Sequence, residues 1–410
     1  MHGLELAVIA DDLSGATESA STALLRVPRT TVLLSSHQMV NSPENWVGDA
    51  QILTIDTNSR GLHPDEAGSI VRAAARRVES ARIVVKKVDS LLRGNVATEV
   101  GALRDELGRT PVVAVSLPRM GRAVRAGVLQ VNGTPLHETG LWHVEGRMPP
   151  GSVAVALEPL PTLAVTQEVV ATGLEAVARA LRQAESLGHV AVCDAADDDE
   201  LATITCAALG VWARPLLVGS SALVAAVVRS LDADHTSATP QPLPRVPSLL
   251  VALGTRADSI GSQLDRLATS AAFVDVVSPS ELLTDPGRIE ARLARVEATG
   301  LAVVAIDPGA SVDPARSAQL ARAFAEVVSP MAARFAGVFL SGGETARAVL
   351  DLLGVDTLSV ETELESGTVA SRTGSGQVVV TRPGSFGDAD SLLRTARQLL
   401  TEAATTKENS

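Results

Sequence analysis

A ten-residue stretch, Lys86–Asn95 (KKVDSLLRGN), gathers three cations, an aspartate and a serine directly after the apolar run Ile83–Val85. Lysine and arginine bind the oxygens of carboxylates and phosphates, and an arginine fork grips a carboxylate with two parallel hydrogen bonds. An aspartate accepts hydrogen bonds from ligand hydroxyls or takes a proton as a general base. The stretch therefore indicates a site for a small anion that also carries hydroxyl groups, such as a sugar acid.

Further charged residues follow other apolar runs in the same part of the sequence. Asp11 and Asp12 come after the first run, Arg60 after the third and Arg122 after the fifth. Taken alone, the two aspartates are equally well explained as a helix N-cap beside a solvated acid. Taken singly, Arg60, Arg93 and Arg122 are more often surface ion-pair residues than ligands. Their common position after apolar runs favours a ligand site.

A glycine-rich stretch, Phe339–Ala346 (FLSGGETA), ends an apolar run later in the chain and leads into a helical pattern. Glycines let the backbone approach a ligand closely, and the free N–H groups of the following helix point at an anion. Glu344 would repel a phosphate unless it binds Mg²⁺ or caps the helix. Leu253–Arg256 and Thr381–Asp388 end two other runs in the same manner. A structural strand-to-helix turn is the alternative, and neither the P-loop nor the dinucleotide fingerprint is present.

The elements that position these residues are short apolar runs alternating with longer amphipathic segments. This alternation predicts βαβ units and an α/β fold of two domains, each a largely parallel sheet flanked by helices. Residues 232–247, with four prolines and no periodicity, are expected to link a domain of residues 1–231 to one of residues 248–410. Ligands of open α/β sheets bind at the carboxyl ends of the strands, where the polar segments lie.

Composition argues against several classes of partner. A net charge of −12 without basic runs argues against nucleic acid, and 2% of aromatic residues leaves few rings for stacking on bases. We expect no membrane partner and a cytoplasmic location, since no signal peptide or transmembrane run is recognisable. Cys193 and Cys206 lack metal or redox spacing and are predicted to be buried thiols. The sequence leaves homo-oligomer formation open.

Taken in order, the motifs resemble those of the four-carbon acid sugar kinases, which phosphorylate threonate, erythronate and related oxo-tetronates with ATP. The matching segments are Ile9–Ala16 (IADDLSGA), Ser59-Arg60, Lys86–Asn95 with Glu99, Pro118–Arg122 (PRMGR), Asn132–Thr139 (NGTPLHET), Gly219–Leu223 (GSSAL), Gly254–Arg256 (GTR), Ser341–Ala346 (SGGETA) and Arg382–Asp388 (RPGSFGD). The sequence departs from the family pattern at Leu91, where threonine is usual, and at Arg382-Pro383, where Lys-Ser is usual.

The resemblance implies that the N-terminal domain binds the sugar acid and the C-terminal domain binds ATP. The implied substrate contacts are Asp11, Asp12, Arg60, Lys87, Asp89, Ser90 and Arg93. The implied nucleotide contacts are Thr255, Gly342, Gly343, Glu344, Thr345, Gly384, Ser385, Phe386 and Gly387.

The expected reaction is phosphorylation of a hydroxyl group of a short sugar acid by ATP and Mg²⁺, with Asp12 or Asp89 accepting the hydroxyl proton. The sequence does not select between these two carboxylates, and it does not identify the acid or the hydroxyl. One alternative is a sugar-acid sensor without catalysis. Another is a sugar-acid lyase or isomerase in which Lys87 and Asp89 transfer protons, although this leaves the glycine-rich turns unexplained.

Overall fold

The computed structural model describes residues 4–27, 30–34, 51–142, 145–231, 243–255, 259–310, 316–384 and 386–401. The chain forms two units, Met1–Thr239 and Pro240–Ser410. In both units strands alternate with helices along the chain, and most strand pairs are parallel, so the predicted α/β class is confirmed. Within the described ranges, no helix combines the length and the apolar character needed to cross a bilayer.

The first unit is built on a parallel sheet with helices packed against it. Its strands are β1 Leu6–Ala10, β2 Thr30–Leu34, β3 Ile52–Asp56, β4 Ile83–Lys87, β5 Pro111–Ala114, β6 Arg122–Arg125, β7 Val128–Val131, β8 Thr134–Pro135, β9 Thr162–Val165, β10 Val190–Cys193 and β11 Leu216–Gly219. Its helices are α1 Leu13–Ala23, α2 Pro64–Arg77, α3 Val96–Leu107, α4 Val153–Ala156, α5 Gln167–Thr172, α6 Leu174–Leu187, α7 Asp198–Val211 and α8 Ser221–Ser230. β1 and β4 are buried along their whole length, as is typical of parallel strands whose two faces are both covered.

The strand order of this unit reverses between β1 and β4. The order is β2-β3-β1-β4-β11-β5-β10-β9, with every neighbouring pair parallel. From β1 the chain continues to β2 and β3 on one side and then crosses to β4 on the other. Ala10, the last residue of β1, is in register with Asp56 and Lys87, the last residues of β3 and β4. Ligands of open α/β sheets bind at such a switch point.

Strands β6, β7 and β8 form a separate antiparallel sheet in the same unit. Isolated bridges pair Leu117 with Arg122 and Val124 with Ala195. Since Leu117 lies just after β5 and Ala195 just after β10, the small sheet is fastened to the carboxyl ends of two strands of the large sheet. The strand pattern of the sequence does not predict this sheet, because its strands are short and only partly buried.

Local sequence explains where the helices of the first unit begin and end. The side chain of Asp12 accepts a hydrogen bond from the N–H of Gly15 and so caps α1. Pro64 opens α2, where its missing N–H costs nothing. Gly108 ends α3 in the left-handed conformation, with a φ of 62°.

The second unit has the same kind of sheet, extended by an antiparallel hairpin. Its strands are β12 Ser248–Leu253, β13 Phe273–Val277, β14 Gly300–Ile306, β15 Gly337–Ser341, β16 Thr357–Glu365, β17 Thr368–Thr373 and β18 Val378–Arg382. Its helices are α9 Ile260–Ala268, α10 Pro279–Thr284, α11 Pro286–Leu293, α12 Ser317–Ala332, α13 Gly343–Leu352 and α14 Ser391–Leu399. The order is β13-β14-β12-β15-β18-β17-β16, parallel from β13 to β18 and antiparallel beyond. The order reverses between β12 and β15, which is the switch point of this unit.

The described part of the segment expected to be a linker is ordered against the second unit. Residues 232–242 lie outside the described residues. Val246 is buried in the core of the second unit, and its N–H donates a 2.8 Å hydrogen bond to the carbonyl of Leu399.

The prediction that both cysteines are buried is wrong for one of them. Cys193 is buried in β10, whereas Cys206 is exposed on α7. Leu201, Ile204 and Ala208 form the buried face of α7. Position 206 lies off this face, because residues on one side of a helix recur at intervals of three and four.

Candidate active site

Arg60 joins the residues that follow β1, β3 and β4. Its Nε and Nη2 atoms donate hydrogen bonds of 2.7 and 3.0 Å to the two carboxylate oxygens of Asp11. Its guanidinium also lies 2.8 Å from the carboxylate of Asp12 and 4.0 Å from that of Asp89. Because the ends of the three strands are level in the sheet, a single guanidinium reaches aspartates that follow two other strands.

Asp89 is held by the segment that follows it. Arg93 donates two hydrogen bonds of 2.8 Å to its two carboxylate oxygens, and the N–H of Leu91 adds one of 3.1 Å. The chain turns tightly here, with Leu92 at a φ of 60°, a left-handed conformation that is uncommon for bulky residues. Strained residues of this kind cluster at binding and catalytic sites. This turn, with the hydrogen bonds from Arg93 and Leu91, fixes the orientation of Asp89.

A buried ion pair supports the same segments from inside the unit. Nζ of Lys86 lies 2.9 Å from Oε2 of Glu99, and both side chains are fully buried. The hydroxyl of Ser59 donates a 2.5 Å hydrogen bond to the other oxygen of Glu99. The side chain of Asn95 donates to the carbonyl of Ser59 at 3.1 Å. Since Ser59 directly precedes Arg60, this network links β4 and α3 to the position of Arg60.

The side chains of Lys87 and Asp12 both lie beside Gly15 at the start of α1. A Cβ atom added to Gly15 would lie 2.7 Å from Oδ1 of Asp12 and 2.9 Å from Nζ of Lys87. Glycine at this position therefore allows the ammonium and carboxylate groups to face the first turn of the helix. Nζ of Lys87 donates a 3.1 Å hydrogen bond to the carbonyl of Val88. In the described part of the chain, no carboxylate lies within ion-pair distance of Lys87.

Ser90 and Arg122 form a second polar contact at this edge of the sheet. Arg122 begins β6, and its Nη1 donates a short hydrogen bond to the hydroxyl of Ser90. Ser90 is buried, and Nε of Arg122 is buried without a hydrogen-bond partner. The small antiparallel sheet thus supplies a guanidinium to a site otherwise built from the ends of β1, β3 and β4.

The charges of the site fix the ionisation of its aspartates. Burial alone would raise the pKa of Asp11, but the charge and hydrogen bonds of Arg60, aided by Lys86 and Lys87, outweigh it and lower that pKa. Burial would likewise raise the pKa of Asp89, but the hydrogen bonds from Arg93 and the neighbouring cations hold it well below its ordinary value. Both groups are therefore carboxylates at neutral pH.

In the second unit, three loops pack closely at the switch point. A Cβ atom added to Gly254, after β12, would overlap the side chain of Thr345 on α13. A Cβ atom added to Gly384, after β18, would overlap the side chain of Thr255. The glycines therefore let the loops after β12, β15 and β18 approach each other with only threonine side chains between them. Such a cradle exposes backbone groups to a ligand.

The N-terminus of α13 lies in this cradle. Gly342 has a φ of 100°, which turns the chain from β15 into the helix. Among the residues that the structure describes, no side chain caps α13, and the N–H groups of a first helical turn have no partner within the helix. These groups and the positive end of the helix dipole suit a phosphate. Glu344 is exposed in the same first turn.

A magnesium ion fits this cradle only in combination with a nucleotide. Across the described residues, no group of three or more His, Cys, Asp or Glu side chains could hold a metal ion. Mg²⁺ in nucleotide-dependent enzymes is typically held by one or two carboxylates together with phosphate oxygens. Exposed beside the phosphate-type site, Glu344 is a carboxylate suited to that arrangement.

Arg382 is a buried cation at the base of the cradle. It donates 2.9 Å hydrogen bonds to Ser391 and Gln263 and a longer one of 3.4 Å to Ser341. Its guanidinium also lies over the ring of Phe339, 5.4 Å from the ring centroid. Burial lowers the pKa of Arg382 to about 10, which leaves it charged at neutral pH. No carboxylate in the described ranges lies within ion-pair distance of Arg382, and Glu365 acts on its charge from farther away.

Known proteins match the chain over nearly its whole length. Residues 6–227 match the model of a sugar-binding N-terminal domain, and residues 250–392 that of a nucleotide-binding C-terminal domain. A D-threonate kinase of Bordetella bronchiseptica is 30% identical, covering 97% of this chain and 98% of its own. A 3-oxo-tetronate kinase of Methylobacterium radiotolerans is 28% identical, covering 94% and 97%. The chain belongs to the four-carbon acid sugar kinase family.

A solved structure agrees with the fold of this family member. A crystal structure from Salmonella typhimurium LT2 superposes with a TM-score of 0.79 at 22% identity, covering 97% of this chain and 100% of its own. The domain models and the kinase relatives, rather than this structure, confirm the family predicted from the ordered motifs, and a nucleotide is one substrate of the kinase.

The structure of this kinase brings most of the implied residues together within each unit. In the first unit, Arg60 contacts Asp11 and Asp12 and approaches Asp89, which Arg93 holds. In the second, the loops that contain Thr255, Gly342–Thr345 and Gly384 converge. Ser385 lies outside the described residues. The ring of Phe386 is directed at Gly367, in the β16–β17 turn, since a Cβ atom there would lie 2.8 Å from it.

Several residues of these clusters are not among the substrate and nucleotide contacts that the family resemblance implies. Lys86, Glu99 and Arg122 belong to matching segments, but the sequence does not reveal that the first two pair inside the protein and that the third contacts Ser90. Arg382 opens a matching segment but appears there as a departure from the family pattern, not as an implied contact. Each is a charged residue beside an apolar run, which is the signal that could have selected it.

Proposed function

We propose that this protein is an ATP-dependent kinase that phosphorylates a hydroxyl group of a four-carbon sugar acid. In this proposal, residues 1–231 bind the sugar acid, and residues 248–410 bind ATP with Mg²⁺. The named relatives act on D-threonate and 3-oxo-tetronate, which share a four-carbon skeleton and a carboxylate.

The observation that carries the proposal is the presence of two complementary site chemistries on one chain. The first unit has aspartates and cations at the ends of β1, β3 and β4, which suit the hydroxyls and the carboxylate of a sugar acid. The second has an uncapped helix N-terminus between glycine loops, which suits the phosphates of a nucleotide. A kinase needs both, whereas a sensor, lyase or isomerase of sugar acids needs only the first.

Asp12 is the group proposed to accept the hydroxyl proton. Its side chain is 20% exposed, compared with 3% for Asp11 and 9% for Asp89. The oxygens of Asp89 accept hydrogen bonds from Arg93, and those of Asp12 accept from Arg60 and from the N–H of Gly15, so the greater exposure of Asp12 is what favours it. Lys87, close to Asp12 across Gly15, would offset the negative charge that gathers there during transfer.

In the second unit, the residues that would hold the nucleotide are largely backbone. The phosphates would lie at the first turn of α13, with Thr255 and Thr345 supplying hydroxyl groups beside them. Mg²⁺ held by Glu344 and the phosphates would neutralise charge on the transferred group. The buried positive charge of Arg382 would favour the same anions from inside the unit.

An assay of ADP release tests the proposal. The protein would be mixed with Mg-ATP and each member of a panel of threonate, erythronate and oxo-tetronate stereoisomers, and products would be identified by mass spectrometry. The expected result is acid-dependent ADP release with one or more phosphorylated acids. Tight binding of an acid without any ADP release would support a sensor. Conversion of an acid in the absence of ATP would support a lyase or isomerase.

A further inference from the structure

The arginines at the sugar-acid site differ in whether the protein already neutralises them. Arg60 holds Asp11 with two hydrogen bonds and also pairs with Asp12. Arg93 holds Asp89 with two hydrogen bonds. An arginine fork engaged with a carboxylate in this way has lost its best geometry for another. Arg60 and Arg93 therefore act on the substrate through the aspartates that they orient.

Arg122 has no such partner. Among the described residues, no carboxylate lies within ion-pair distance of its guanidinium, which donates a hydrogen bond to the hydroxyl of Ser90. Its Nε is buried and makes no hydrogen bond. Burial lowers the pKa of Arg122, with Asp89 opposing this effect and Arg93 adding to it. A partly buried guanidinium without a counter-ion is unfavourable, and an anion that reaches it relieves this cost.

The backbone holds Arg122 in place while its side chain remains available. The N–H of Leu117 donates a 2.8 Å hydrogen bond to the carbonyl of Arg122, and the N–H of Arg122 returns one of 3.2 Å. Arg122 is thereby anchored to the end of β5, in line with the other strand ends of the unit. The buried hydroxyl of Ser90 is within reach of both Arg122 and the Asp89 turn. This placement joins a cation and a hydroxyl at one edge of the site.

We propose that Arg122, with Ser90, binds the carboxylate of the sugar acid and selects acids over neutral sugars. The proposal rests on the proposed kinase function and names the residue that reads the charge shared by its substrate class. A carboxylate that reaches the half-exposed guanidinium of Arg122 would accept a charge-assisted hydrogen bond from it. Arg60 and Arg93 are then positioning residues for Asp11, Asp12 and Asp89.

The test compares an acid with its own neutral amide. Wild-type protein, Arg122→Gln and Arg122→Lys would be assayed with the best acid substrate and with the corresponding carboxamide. Removing a charge-assisted hydrogen bond typically weakens binding by about 10- to 100-fold. Arg122→Gln is therefore expected to raise KM for the acid by about 10- to 100-fold. Its kcat for the acid, and its kcat and KM for the amide, should stay within about threefold of the wild-type values. Arg122→Lys should recover part of the loss, since it keeps the charge but not the fork.

Arg125→Gln is the matched control, because Arg125 lies on the same strand, is exposed and donates to Gln167. Its kinetic constants should equal those of wild type. An unchanged KM for the acid in Arg122→Gln would overturn the proposal. Equal losses for acid and amide would overturn it in favour of a structural role. A fall in kcat at unchanged KM would overturn it in favour of a contact with the transferred phosphoryl group.

Direct binding separates this proposal from the kinase function. Calorimetric titration of the acid and the amide into nucleotide-free protein requires no ATP turnover. If wild-type protein binds the acid through Arg122 but releases no ADP, the kinase proposal fails and the Arg122 proposal stands. If wild-type protein phosphorylates the acid and Arg122→Gln binds it equally well, the Arg122 proposal alone fails. Should Arg122→Gln not fold, equal affinity of wild-type protein for acid and amide would still overturn it.

Discussion

Arg60 grips both carboxylate oxygens of Asp11, at 2.7 and 3.0 Å, although the two residues follow different strands. The strands β1 and β3 are adjacent and end level with one another, which is why the pair can form. This contact fixes the loop after β3 to the loop after β1. It joins two separate strand ends into one site, and through it the site contributes to the stability of the unit.

Acid should destabilise the first unit through this site. The pKa values of Asp11 and Asp89 are lowered in the folded protein, so the unfolded chain binds more protons than the folded one at acid pH. Their contribution to stability is therefore complete above the ordinary aspartate pKa of about 4 and is lost as pH falls below it toward their lowered values. Urea unfolding of wild type and Asp89→Asn between neutral pH and pH of about 3 would test this. The two stabilities should converge as pH falls; a constant difference would contradict the assignment.

Asp12 and Asp89 should respond differently to the same substitution. Asp12→Asn keeps an N-cap for α1 but removes the proposed base, so kcat should fall by about 10²- to 10⁴-fold, with a smaller loss of stability than in Asp89→Asn because Asp12 is more exposed and Arg60 keeps Asp11. Asp89→Asn should instead lower the free energy of unfolding by about 3–5 kcal/mol, because it leaves the cations of Arg60 and Arg93 with one carboxylate fewer. Steady-state kinetics and thermal unfolding of both variants would distinguish these roles. Full activity of folded Asp12→Asn would exclude it as the base.

Gly384→Ala should weaken nucleotide binding while the unit stays folded. The added Cβ would overlap the side chain of Thr255 and force apart two loops of the cradle. Gly374→Ala is the matched control, since a Cβ there, in the turn between β17 and β18, meets nothing within 4 Å. We expect the affinity for Mg-ATP, measured by calorimetry, to fall at least about 10-fold in the first variant alone. Equal affinities in both variants would place the nucleotide elsewhere.

Arg382→Met should weaken Mg-ATP binding without affecting the binding of the sugar acid. The substitution removes the buried positive charge at the base of the cradle and the hydrogen bonds to Ser391 and Gln263. A loss of about 10-fold in nucleotide affinity is expected, with Arg382→Lys retaining more of it. Arg372→Met serves as the control, because Arg372 lies in the same sheet but pairs with Glu361. If the two methionine variants bind Mg-ATP equally well, Arg382 has no electrostatic role.

The strands of the parallel sheets could be predicted because their sequences carry the signal by themselves. Runs such as Leu6–Ala10 and Leu301–Ile306 are continuously apolar, and burial on both faces requires this. The polar residues that follow were predicted to meet because parallel strands place their carboxyl ends at one edge. The antiparallel sheet that begins at Arg122 was missed, since its short, half-exposed strands have no distinctive period.

The sequence predicts the strands, but it does not predict which side chains pair with each other. The sequence shows Lys86 and Lys87 as adjacent cations at a strand end, yet one pairs with Glu99 inside the protein and the other faces Asp12. Alternation along a strand sends neighbours to opposite faces, but which face holds the ligand depends on the helices that pack there. Arg60 and Arg93 are predicted as substrate contacts, and the sequence gives no indication that their guanidinium groups also pair with Asp11, Asp12 and Asp89.

Transfer of labelled γ-phosphate from ATP to a four-carbon sugar acid is the most direct test of the proposed function. Wild-type protein and Asp12→Asn would be incubated with γ-labelled ATP and Mg²⁺, with and without each acid. The account predicts a labelled, phosphorylated acid with wild-type protein, far less with Asp12→Asn, and none when the acid is left out. Label that stays in ATP, or appears only as free phosphate, with every four-carbon acid would contradict it.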